Sequence, residues 1–117
     1  MTTMNPGETS SRTQAKTLIA HLASRVYDTY GQLVAARGTD PHRADALELQ
    51  FRTLTLLMAS EPAQDWSEVE PKVIAAAFLR YDREHGLVSL SHSHLATLLD
   101  VAIEADHRRL NSDSLPN

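Results

Sequence analysis

The chain has 117 residues, 42% of them hydrophobic and 22% charged, with a net charge of −4, the balance of one folded domain rather than of two domains or a disordered chain. It contains no cysteine, which excludes disulfides, thiolate metal sites, iron–sulfur clusters and cysteine nucleophiles. No apolar run approaches membrane-spanning length, and the start, MTTMNPGETSSR, has neither the basic nor the apolar part of a signal peptide. The expected setting is the cytoplasm, with no membrane association.

Residues 1–9 are polar around Pro6 and Gly7, and 111–117 are similar; both ends are expected to be disordered, flanking a single helical domain over 10–110. Ala15, Leu18, Ile19, Leu22, Val26, Tyr30, Leu33 and Val34 share one helical stripe, so the first helix is expected from Ser10 or Ser11 to Arg37, roughly 40 Å long. Gly31 lies inside it, where glycine costs about 1 kcal/mol relative to alanine unless a neighbour needs the space.

Gly38 is suited to a left-handed helix end, Asp40 to an N-cap and Pro41 to the first helical position. Helices joined this tightly pack as a hairpin, with Ala44, Leu47, Phe51, Leu54 and Met58 facing the first helix. Pro62, Trp66 and Pro71 then punctuate the chain, and a short extra helical turn is expected near residues 61–66, with Trp66 pinning the connector onto the core. Glu61, Asp65, Glu68 and Glu70 come without an intervening base, the pattern of a solvated connector that would not lie on phosphates.

Ser67 and Glu70 have capping-box spacing, and Val73, Ile74, Ala77, Phe78 and Tyr81 form the expected core face of a third helix that Gly86 closes. A fourth helix is expected from about Ser91 to Leu110, with Leu90 and Leu95 spaced as a hydrophobic staple and Leu95, Leu99, Ala102 and Ile103 inward. The fold class is therefore all-α, an antiparallel bundle of four main helices with the short turn between the second and third.

Apolar residues are left over. Leu49 and Leu56 lie well away from the core stripe of the second helix, and Val101 and Ala105 lie to one side of that of the fourth. Such surplus surface points to an interface, and a homodimer is the expected partner arrangement.

Residues 91–110 resemble a bacterial helix-turn-helix: Leu95, Ala96, Leu99 and Val101 match its apolar positions, and the resemblance implies phosphate contacts from Arg108 and Arg109. The segment departs from the motif at Asp100, where the turn usually has glycine, and at Asp106, a position the motif buries. Arg80 and His85 have the spacing of the HEPN family of helical-bundle domains, which includes ribonuclease toxins; the resemblance implies a phosphate-binding role for Arg80 and acid–base chemistry for His85. Tyr81 stands where that family has a small polar residue. A second Arg-x4-His match, Arg37 to His42, spans a loop.

No metal or cofactor is expected. His92 and His94 are two apart and diverge on a helix. Glu104 and His107 have the spacing of a di-iron pair but have no second pair, and the segment from Asp82 lacks the closing acid of a calcium loop. Phosphate-loop and hydrolase-elbow motifs are missing too. The sequence is thus read as a small acidic interaction or regulatory protein acting through helix surfaces without catalysis, with Leu49, Leu56, Leu98, Val101 and Ala105 as contact residues. A DNA-binding regulator and a HEPN-like ribonuclease are the alternatives.

Overall fold

The computed structural model describes the backbone of residues 6–86 and 90–114 and the side chains of 18–86 and 94–112. Four helices follow in chain order: α1 (Pro6–Ala36), α2 (Pro41–Ser60), α3 (Trp66–Glu84) and α4 (Leu90–Ser114). α1 packs on α2 and α3, and α4 packs on the same two helices; α2 and α3 touch across the middle, whereas α1 and α4 do not meet among the described residues. The short α2–α3 diagonal makes the bundle flat, 54 × 37 × 15 Å between Cα extremes.

Both outer ends are more helical than the spacing predicts, since α1 starts at Pro6 rather than Ser10 and α4 continues to Ser114 rather than stopping near Leu110. Residues 1–5 and 115–117 lie outside the described residues, as do the side chains of Ala15, Leu90 and His92. The α1–α2 turn differs from expectation in one respect: Gly38 does not take a positive φ. The turn is instead closed by the Asp40 N–H donating to the Ala36 carbonyl at 2.8 Å. Asp40 then caps α2 through the Arg43 N–H, with Pro41 in the first turn. Gly86, at φ 67°, does end α3 in the left-handed region. No atom outside the local helix backbone lies within 4 Å of a Cβ built on Gly31, so nothing within the chain requires glycine there.

The expected turn at 61–66 does not form. Residues 61–65 are irregular, and Trp66 is already the first residue of α3. The cap is Asp65, whose carboxylate accepts the Glu68 N–H, while Glu68 reaches back to the Gln64 N–H. This cap lies two residues before the expected Ser67, and Glu68 reaches one residue beyond it rather than closing a box on the N-cap amide. Pro71 lies within the helix.

The core of α1 and α2 follows the predicted stripes closely: Ile19, Leu22, Val26, Tyr30 and Leu33 meet Leu47, Phe51, Leu54 and Met58. Leu18 and Val34, at the edges of the α1 stripe, are exposed. An aromatic junction ties three helices together, with Tyr30 stacked on Phe78 at 4.3 Å and tilted against Phe51 at 5.3 Å. Phe51 is fully buried in this junction and Phe78 partly so.

α3 is turned relative to its predicted face. Of the expected face, Ile74 and Phe78 are partly buried, but Val73, Ala77 and Tyr81 are exposed, and the fully buried side is Glu68, Val69, Lys72, Ala75, Ala76, Leu79 and Asp82. Three charged residues on that side break the apolar periodicity, which explains why spacing alone selects the neighbouring face. Two of them, Asp82 and Lys72, are held by charged partners. Asp82, fully buried, accepts both Arg37 guanidinium nitrogens, at 3.0 and 2.7 Å, and the Tyr30 hydroxyl at 2.7 Å. Lys72, also at 0% exposure, donates to the Glu61 carbonyl at 2.6 Å and to Asp106 on α4 at 2.7 Å.

Candidate interaction surface

α2 and α4 lie side by side, and their outward faces are more apolar than a surface requires. Leu49 is 58% exposed, Val101 60%, and Leu56 and Leu98 about half. Leu49, Arg52, Thr53 and Leu56 from α2, with His94, Leu95 and Leu98 from α4, line an open groove of about 270 Å³. Three of the five residues singled out from the sequence, Leu49, Leu56 and Leu98, thus border one cavity. Val101 and Ala105 do not line it; both are exposed and continue the Leu98 face of α4 at helical spacings of three and four. Leu57 is a further exposed leucine of α2 that was not among them.

Arg52 and His94 were also missed as groove residues. An arginine can lay its aliphatic stem on apolar surface and keep its guanidinium in water, so its charge masked its position in the hydrophobic pattern. Charges of both signs lie elsewhere on the exposed surfaces of the same two helices. Asp45 is exposed on α2, and Glu104 and Arg108 form an exposed ion pair on α4.

The irregular connector lies at the other end of α4 and is fastened by charge. Asp106 accepts the Ala63 N–H at 3.2 Å as well as Lys72, and Arg109 donates to the Ala63 carbonyl and to Asp106. Trp66 does not pin this segment onto the core. It is 48% exposed and meets the edge of His107 at 5.0 Å between ring centres. Glu68, expected on a solvated connector, is buried; among the described residues its Oε2 has no hydrogen-bond partner.

The residues behind the two nucleic-acid resemblances are placed differently from what those motifs need. α4 runs unbroken through Asp100, so the turn of a helix-turn-helix is not formed. Asp106 is buried, as that position would be in the motif, but it pairs with Lys72. Arg108 and Arg109 are engaged with Glu104 and with Asp106 and Ala63. Arg80 is exposed on α3, and His85 is the residue that caps its end. The His85 ring stacks on Tyr81 at 4.0 Å, and its Nδ1 lies 2.9 Å from the Tyr81 carbonyl. Glu104 and His107 have separate neighbours, Arg108 and Trp66.

Titration behaviour is perturbed most clearly at the α1–α3 junction. Burial, followed by the hydrogen bond to the Asp82 carboxylate, pushes the Tyr30 hydroxyl up to about 12. The same carboxylate raises Arg37 through their hydrogen bonds. Tyr27 is raised by burial and by the nearby charge of Glu70. These shifts belong to groups inside the bundle, whereas the α2–α4 groove is apolar at its centre.

No protein-family model, curated protein or solved structure matches the chain. Among the described residues, no helix is long and apolar enough to cross a membrane.

Proposed function

We propose that this chain is a small regulatory or scaffolding protein of the cytoplasm that works by protein–protein association, without catalysis of its own, and that it pairs with a second copy through the outer faces of α2 and α4. The observation that carries the reading is the exposure of Leu49, Leu56 and Leu98 around one open apolar groove, extended along α4 by Val101 and Ala105. A monomer leaves that surface in water, and covering it is favourable in proportion to its area. The absence of cysteine fits a reducing compartment.

Magnitudes define what such a face can do. Covering a half-exposed leucine or valine returns on the order of 1–2 kcal/mol. Two copies bring together eight such side chains, roughly 10 kcal/mol, against a cost of lost translational and rotational freedom that is about as large. The apolar contact therefore drives association, and polar groups at its rim decide affinity and register.

The test is molar mass in solution by light scattering and sedimentation across micromolar concentrations. The unaltered chain is expected to reach dimer mass. Leu56→Asp and Leu98→Asp are each expected to give monomers with unchanged helical circular dichroism. A chain that stays monomeric throughout the range, or a dimer untouched by either substitution, would overturn the reading.

A further inference from the structure

α2 carries charges of both signs around Leu49, Asp45 and Glu48 against Arg52. Asp45 precedes Leu49 by four residues and Arg52 follows it by three, so each flanks the leucine by about one helical turn. Asp45 is exposed, and Arg52 is partly buried where it lines the groove. Among the described residues neither side chain makes an ion pair or a side-chain hydrogen bond. An arginine beside an apolar surface needs a carboxylate if that surface is to be covered, because losing water around an unpaired guanidinium is costly.

A two-fold dimer places the same patch on both protomers, so its interface must complement itself. In an antiparallel pair of α2 helices, residues equally far from the axis on either side face each other. We propose that the second copy docks with its α2 antiparallel to the first and with the axis near Leu49, so that Asp45 of each protomer pairs with Arg52 of its partner. Leu49 then meets its own symmetry mate between two identical ion pairs. An axis midway between Leu49 and Leu56 would align leucine with leucine, but it would bring the two Arg52 side chains together, a like-charge contact that disfavours that register. This geometry rests on the association reading above and adds to it the groups that select the partner and the register.

Charge reversal tests it. Asp45→Arg puts a second cation beside Arg52 on each face, and Arg52→Asp leaves only anionic groups around Leu49. Each variant alone is expected to self-associate more weakly than the unaltered chain by about tenfold or more, and increasingly so at low salt. Mixed in equal amounts, the two are expected to form a one-to-one heterodimer, detected by native mass spectrometry. The double variant Asp45→Arg/Arg52→Asp restores the complementary pattern and is expected to recover homodimerisation. Reversals without effect, or a mixture that yields no heterodimer, while Leu98→Asp still dissociates the unaltered dimer, would overturn this register and leave the association reading standing. A monomeric unaltered chain would overturn both.

Discussion

The inward side of α3 and the outward sides of α2 and α4 invert the usual distribution of polarity. α3 buries Lys72 and Asp82, while α2 and α4 leave Leu49, Leu56, Leu98 and Val101 in water. The buried charges have their partners within the chain, in Asp106, Arg37 and Tyr30, so desolvation is offset by short, charge-assisted hydrogen bonds. The exposed leucines have no such internal compensation. Burial in this bundle is decided by where partners are supplied, not by side-chain polarity alone.

The sharpest way to break that contrast is to remove one member of a buried pair. Lys72→Ala is expected to destabilise the fold by about 3–5 kcal/mol in urea unfolding, because Asp106 is left buried with less compensation and a cavity opens. Combining Lys72→Met with Asp106→Leu is expected to recover part of that loss, though not all, since the Glu61 carbonyl loses its donor and the Ala63 N–H its acceptor. If the single and double variants were equally destabilised, the ion pair would not be what holds this junction. Asp82→Ala comes next, at about 2–4 kcal/mol, because Arg37 is partly exposed and can be rehydrated whereas the Tyr30 hydroxyl cannot.

Tyr30→Phe keeps the ring and removes one hydrogen bond, so a loss of about 1 kcal/mol is expected at neutral pH. Its larger consequence is at high pH. The folded hydroxyl ionises near 12 rather than at the ordinary 10, so the fold favours the protonated form; that contribution is complete below about pH 10 and disappears as pH rises towards 12. Denaturation midpoints measured across this window should fall less steeply for Tyr30→Phe than for the unaltered chain. Some fall persists, because Tyr27 is raised too. Smallest of all, Val73→Ser is expected to change stability by less than about 0.5 kcal/mol, although Val73 belongs to the apolar stripe read from sequence. A loss of several kcal/mol there would mean that α3 is turned the other way.

The parts of the fold that were legible are those where partners share one chemical type. The stripes of α1 and α2 are almost wholly aliphatic and aromatic on their buried sides, so period and burial agree. Asp40, Pro41 and Gly86 act locally, and local rules located them. The face of α3 was only partly assigned because its interior is shared with charges whose counter-ions come from the residue that follows α1 and from α4, 45 and 34 residues away for Asp82 and Lys72. No local spacing encodes such a pairing. One hint existed: Asp106 falls where the helix-turn-helix resemblance expects burial, and a carboxylate there demands a cation. At the candidate surface, Leu49, Leu56 and Leu98 were found as surplus apolar residues, while Arg52 and His94 were not, because a groove between two helices depends on their relative placement.

The middle of the connector between α2 and α3 is held at its amides by side chains. Its Ala63 and Gln64 amides donate to the carboxylates of Asp106 and Glu68, one of them on α4. Deuterium uptake at Ala63 is therefore a gauge of the last turns of α4, slow while that helix stays seated and fast once it lifts. A non-helical stretch of the chain would, in this protein, report the docking of a helix that lies more than forty positions further on.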